Sequence, residues 1–203
     1  MANNMIVMEL LGHNLQHFHN KCNNKFSLRT TLLLFDQILE RISFIHENGY
    51  LHRNIKPENF LMGRNENKST VYLIDFMLAK KFVIDGKIKP FRKGRQIKSS
   101  LRYSSVNSQL GFEQSPRDEL ESIGYMMIYF LKGELPWQNI TASTKDEKFS
   151  LVLKSKLSTK IQTLTKGLPE EFKDYMNYVK SLDYETMPDY TQLRNLFKQR
   201  LLK

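Results

Sequence analysis

The stretch from Leu120 to Leu131 constrains the fold of this chain more than any other. Leu120, Ile123, Tyr125, Met126, Met127, Ile128, Tyr129, Phe130 and Leu131 make it apolar almost all round. A helix with one apolar stripe lies on a surface, whereas one that is apolar on every side runs through an interior. The rest of the chain must therefore wrap around it. Ser27 reads as an N-cap, and Leu32, Phe35, Ile38, Leu39, Ile42 and Ile45 recur at helical spacing from Leu28 to Asn48, where Gly49 stops the pattern. Weaker helical patterns follow at about Asp146 to Lys154, Glu170 to Leu182 and Tyr190 to Leu202. Val71-Tyr72-Leu73-Ile74, preceded by the loop Gly63 to Thr70, reads as a hairpin strand leading into Asp75. With 203 residues, 40% of them hydrophobic and 11% aromatic, one mainly α domain that buries roughly 70% of its unfolded surface is expected.

The single cysteine, Cys22, excludes an internal disulfide and suits a reducing compartment. Met-Ala-Asn-Asn at the start has no basic and apolar leader pattern, and no apolar run reaches ~18 residues. The expectation is a cytoplasmic chain with no membrane segment. His13 and His17 stand four apart with His19 nearby, but no Cys, Asp or Glu lies at a spacing that completes a tetrahedral metal site locally. Ordinary helix-surface histidines are the preferred reading.

The motif that carries chemistry is Leu51-His52-Arg53-Asn54-Ile55-Lys56-Pro57-Glu58-Asn59. It follows the protein-kinase catalytic-loop pattern H-R-D-x-K-x-x-N with Asn54 in place of the Asp, the residue that accepts the proton of the substrate hydroxyl. Met8-Glu9-Leu10-Leu11-Gly12 looks like a kinase hinge, Asn59-Phe60-Leu61-Met62-Gly63 like the strand after the catalytic loop, and Ile74 to Lys81 like the metal-binding D-F-G segment. Ser105-Val106-Asn107 stands where most kinases carry A-P-E, followed by Leu135-Pro136-Trp137-Gln138 and Pro188-Asp189-Tyr190. On these segments nearly the whole chain resembles the casein kinase 1 family of Ser/Thr protein kinases.

The resemblance implies a protein-kinase-like C-terminal lobe: a remnant strand and hinge over 1–12 and a helical lobe over 13–203. An N-lobe would bring a Gly-rich loop and a strand Lys paired with a helix Glu. No two of the nine glycines have G-x-G spacing, and the first Lys is Lys21, past the hinge. The N-lobe is therefore expected to be absent. Leu10, Leu11, Leu61 and Ile74 correspond to a vestigial nucleotide site, Asp75 and Asn59 to the two Mg positions, and Lys56 to the retained catalytic-loop Lys. Three departures join Asn54. Met77 replaces the D-F-G glycine and removes freedom at φ > 0, Ser99-Ser100-Leu101-Arg102-Tyr103 lacks the family's glycine, and Glu119 stands for the Asp that holds the catalytic-loop backbone. His52 is expected to pack rather than catalyse. No cofactor is expected to be required, with weak Mg-ATP binding as the residual possibility.

The formal net charge is +10. From Lys80 to Arg102 the cations Lys80, Lys81, Lys87, Lys89, Arg92, Lys93, Arg95, Lys98 and Arg102 face only Asp85. In the resembling family such a segment recognises acidic or phosphorylated protein segments, through charge-assisted hydrogen bonds from Lys93, Arg95, Lys98 and Arg102. The bland alternative is a solvated, mobile basic loop. Nucleic acid is disfavoured, because only Phe82, Phe91 and Tyr103 are available for stacking. Without an N-lobe, Met8, Phe76 and Met77 would form part of an exposed apolar patch, and such patches mark interaction sites. Two functions follow: a non-catalytic structural or docking subunit of a larger assembly, or a weak Ser/Thr kinase component whose N-lobe comes from another chain. Members of the resembling family work in the cytoplasm, in the nucleus and on cytoskeletal structures including cilia, which implies a cytoplasmic chain with a cytoskeletal or ciliary association as the expectation.

Overall fold

The computed structural model describes Met5, residues 7–94 and residues 100–201. Its helices are α1 (Leu15–Lys21), α2 (Leu28–Glu47), α3 (Val106–Gln109), α4 (Pro116–Lys132), α5 (Lys145–Ser158), α6 (Ile161–Leu164), α7 (Glu170–Ser181) and α8 (Tyr190–Leu201). The short strands are β1 (Tyr50–Leu51), β2 (Phe60–Met62), β3 (Val71–Leu73), β4 (Lys80–Lys81), β5 (Val83–Ile84) and β6 (Lys87–Ile88). They pair antiparallel as β1–β4, β2–β3 and β5–β6. The architecture is mainly α, as the patterning predicts.

The all-apolar stretch is the middle of α4, and from Pro116 to Phe130 every residue of that helix except Arg117 is buried. Pro116 sits in the first turn, where its missing N–H costs nothing, and Gly133 ends the helix at φ 85°. A side chain at Gly133 would put its Cβ 2.7 Å from the Asn24 carbonyl oxygen, so conformation and space both favour glycine. α2 begins where Ser27 Oγ accepts from Thr30 N at 3.1 Å. It packs against α4 with Phe35, Ile38, Leu39 and Ile42 fully buried. An aromatic cluster joins α2, α7 and α8, with the Phe197 ring 4.7 Å from Phe35 and 5.1 Å from Phe172. Arg194 closes that face with two hydrogen bonds to the Asp36 carboxylate, at 2.7 and 2.9 Å.

α4 and α7 pack tightly at Gly124, where an added Cβ would lie 2.4 Å from Met176 Sδ and 3.0 Å from the Tyr175 ring. Gly124→Ala is expected to lower the unfolding free energy by about 1–3 kcal/mol through overpacking, despite its better helix propensity. Urea denaturation of the two proteins measures the difference.

Candidate functional site

The loop between β1 and β2 is held from below by one buried carboxylate. Glu119, on the first turn of α4, accepts from His52 N at 3.2 Å through Oε2 and from Arg53 N through Oε1. His46 on α2 reaches the same carboxylate, Nε2 to Oε2 at 2.7 Å, and its Nδ1 meets the hydroxyl of Tyr190 on α8. Burial alone would push the Glu119 carboxyl up, but the hydrogen bond and charge of His46, the nearby His52 and the Arg53 amide hold it below its ordinary value. The extra methylene relative to Asp is thus accommodated with the loop amides still satisfied.

Side chains of the loop then fix the segment that follows β3. His52 Nδ1 accepts from Asn54 N at 3.3 Å, so Nε2 carries the proton and donates to Ile74 O at 2.8 Å. Arg53, at φ 63°, donates through Nε to Leu78 O at 2.6 Å. Asn59 Nδ2 donates to Asn54 O at 2.8 Å, and Ile74 N donates to Asn59 O at 3.0 Å. Asp75 takes a left-handed conformation, φ 67° and ψ 65°, and leads into a 3₁₀ turn over Phe76–Leu78. Asn54 Nδ2 donates to Asp75 Oδ2 at 2.9 Å. An amide is neutral at physiological pH and has no basic lone pair on nitrogen, so this position orients its neighbour and takes no proton.

A family model of the protein kinase domain matches residues 2–195. The chain belongs to the protein kinase domain family. The sequence resemblance sets the loop above beside the family's catalytic loop, and the segment starting at Asp75 beside the metal-binding D-F-G, as expectations. Asn54, Asp75 and Asn59 lie in one hydrogen-bonded network, while Lys56 is half-buried at the head of the 3₁₀ turn Pro57–Asn59. The hinge-like residues run along the edge of β2 opposite β3: Gly12 N donates to Met62 O at 2.8 Å, and Met62 N to His13 O at 3.0 Å. Leu11, Leu61 and Ile74 are half-buried there, whereas Leu10 is exposed. Met8, Phe76 and Met77 are exposed as well, at 63%, 49% and 91%.

Three expectations need correction. The Met77 backbone carries no positive φ, because Asp75 takes the left-handed conformation and Met77 continues the turn. Loss of the kinase glycine therefore costs no strain here. Second, the three histidines do not share one surface. His13 and His17 stack at 3.9 Å, but His19 is fully buried against Phe26, Tyr129 and Phe130. Among the described residues no group of three metal-ligating side chains forms. Third, the first half of the basic segment is not a loose loop. β4 pairs with β1, β5 with β6, Tyr184 donates its hydroxyl to Lys89 O at 2.9 Å, and Phe91 packs on Phe112 and Tyr184.

Within that segment Lys93 is exposed, with its ammonium 5.6 Å from the Phe112 ring centre. Arg102 is half-buried over the rings of Tyr103 and Tyr129. Arg95 and Lys98 lie outside the described residues.

Besides His46, sequence reasoning missed two groups that matter here. Glu113 pairs with Lys80 at 2.6 Å, which removes one cation from the apparent excess. Lys156 on α5 is buried and donates to Leu101 O at 2.9 Å and Ser104 O at 2.6 Å, with its ammonium 5.2 Å from the ring centres of both Tyr125 and Trp137. Trp137 Nε1 donates to Arg102 O at 2.8 Å. These contacts pin the 101–104 loop from beneath. No sequence signal separates Lys156 from the exposed lysines of the same helix.

Proposed function

We propose that this member of the protein kinase domain family is a non-catalytic, casein kinase 1-like pseudokinase, acting as a structural or docking subunit of a larger protein assembly. The observation that carries the reading is the Asn54–Asp75 hydrogen bond at 2.9 Å. The position of the catalytic base is an amide, and that amide donates into the carboxylate at the metal position. Positioned base catalysis is worth typically about 10²- to 10⁴-fold, and an amide forfeits it.

In this reading no cofactor is required, and Mg-ATP binds weakly. Another protein chain covers the surface bearing Met8, Phe76 and Met77. The cations Lys93, Arg95, Lys98 and Arg102 take acidic or phosphorylated segments of partners. A cytoplasmic site with a cytoskeletal attachment suits such a role, and no described helix is long and apolar enough to cross a membrane. The runner-up, a weak Ser/Thr kinase component completed in trans, draws on Asp75, Asn59 and Lys56, which keep the family's residue types.

The docking half is tested by native mass. Wild type extracted gently from its source is expected in a stoichiometric complex, and Met77→Glu, at a site 91% exposed, as a free chain near 24.0 kDa. A wild-type chain that is itself a stable monomer would remove the docking role. A co-purifying chain with a Gly-rich loop and a strand Lys would favour the runner-up.

A further inference from the structure

A second surface, separate from the one bearing Met77, has the form of a docking groove. α1, the first turns of α2 and the β2–β3 hairpin enclose about 490 Å³. Its floor is apolar, made by Leu15, Phe18, Phe26, Leu34 and Met62. Lys25 and Lys68, both exposed, are the charged residues of its lining, and no carboxylate lines it. Cys22, exposed, sits on the rim.

The neighbouring backbone decides what form an occupant can take. β2 is paired on both edges, by β3 on one side and by residues 12–14 on the other. The outer side of Val71 in β3 is taken by α2, with Gln37 Oε1 accepting from Val71 N and Arg41 Nε donating to Val71 O. Neither Met62 nor Val71 leaves a backbone group for an incoming strand to pair with. Entry must be by side chains, and the mode that inserts side chains between helices is an amphipathic helix laid in a groove. The lysine rim sets the charge of that helix. Exposed charge pairs add little affinity, but like charges at a rim repel and opposite ones fix register. A second copy of this chain is a poor occupant, because two chains of net charge +10 would meet at a lysine-rimmed groove.

We propose that the groove between α1, α2 and the β2–β3 hairpin binds an amphipathic helix of a partner protein, with an apolar i, i+3/i+4, i+7 stripe flanked by Asp and Glu. This inference stands whether or not the chain transfers phosphate. The test selects helical peptides of about 16 residues from a displayed random library on the full chain. The expected binders carry an apolar stripe with acidic flanks and weaken with added salt. They also lose about tenfold or more in affinity against Lys25→Glu/Lys68→Glu. Cys22 is the sole cysteine, so its alkylation by N-ethylmaleimide reports occupancy directly, and bound peptide is expected to slow it several-fold. The proposal is overturned if no helical binder emerges or if the binders are lysine-flanked. Binding indifferent to the double variant, or leaving Cys22 alkylation unchanged, overturns it too. So does protection of Cys22 that grows with chain concentration alone and tracks dimer formation in sedimentation, since a second copy would then fill the groove.

Discussion

Glu119→Leu is expected to lower the unfolding free energy by about 3–5 kcal/mol, the largest loss among substitutions near the site. Three donors converge on this carboxylate: His52 N, Arg53 N and His46 Nε2. Leucine fills the volume and leaves all three buried without an acceptor, at about 1–3 kcal/mol each before relaxation. Against a typical total of about 5–15 kcal/mol, that brings the chain close to unfolding at 37 °C. Glu119→Asp keeps the charge but shortens the reach by a methylene, so a smaller loss is expected. The pH dependence gives a second readout. A carboxyl whose folded pKa lies below its unfolded value of 4.5 contributes stability above that value and loses it as pH falls through the folded pKa. The advantage of wild type over Glu119→Leu should therefore be full at pH 7 and shrink in acid below about pH 4.5. Thermal melts of both proteins across pH 3–7 measure it.

Lys156 should give a slope of the same sign at the alkaline end. Burial, aided by Lys180 and opposed by Glu121, brings its ammonium from 10.5 down to about 7. Between those values the unfolded chain holds a proton that the folded chain has released, so raising pH stabilises the fold. Relative to Lys156→Met, wild type should gain roughly 2–4 kcal/mol from pH 7 to pH 10, at no more than about 1.4 kcal/mol per pH unit. Taking the difference between the two proteins cancels the other lysines and tyrosines that titrate in the same range. A flat difference would mean that Lys156 stays charged, held by the Leu101 and Ser104 carbonyls and the faces of Tyr125 and Trp137.

Much of the fold was legible in the sequence because its signals are local. Ser27 before a regular apolar spacing marked the start of α2, and the all-apolar run marked α4 as the buried axis. The strand near Val71 and the helices ending near Leu182 and Leu201 were also readable, within a residue or two at most boundaries. From the sequence the motif reading named Asn54, Asp75 and Glu119, and the structure places Asn54 against Asp75 and Glu119 beneath the loop amides. What stayed hidden depends on contacts between distant segments. Lys80 meets Glu113 33 positions on, and Lys156 meets carbonyls 52 and 55 positions back. His46 gave no signal at all, since its partners are Glu119 and Tyr190, 73 and 144 positions away. The argument about Met77 failed for another reason. A glycine in a motif suggests a left-handed backbone at its own position, whereas here Asp75 provides it.

The central claim is that this chain transfers no phosphate, and transfer of the γ-phosphate from Mg-ATP to an acidic Ser/Thr peptide tests it most directly. The measurement uses the protein in its natural complex, with wild type and Asn54→Asp side by side. Both are expected at background. If Asn54→Asp raises transfer by about 10²-fold or more, the range that a restored general base supplies, the rest of the phosphoryl-transfer machinery is in place and the non-catalytic account is wrong.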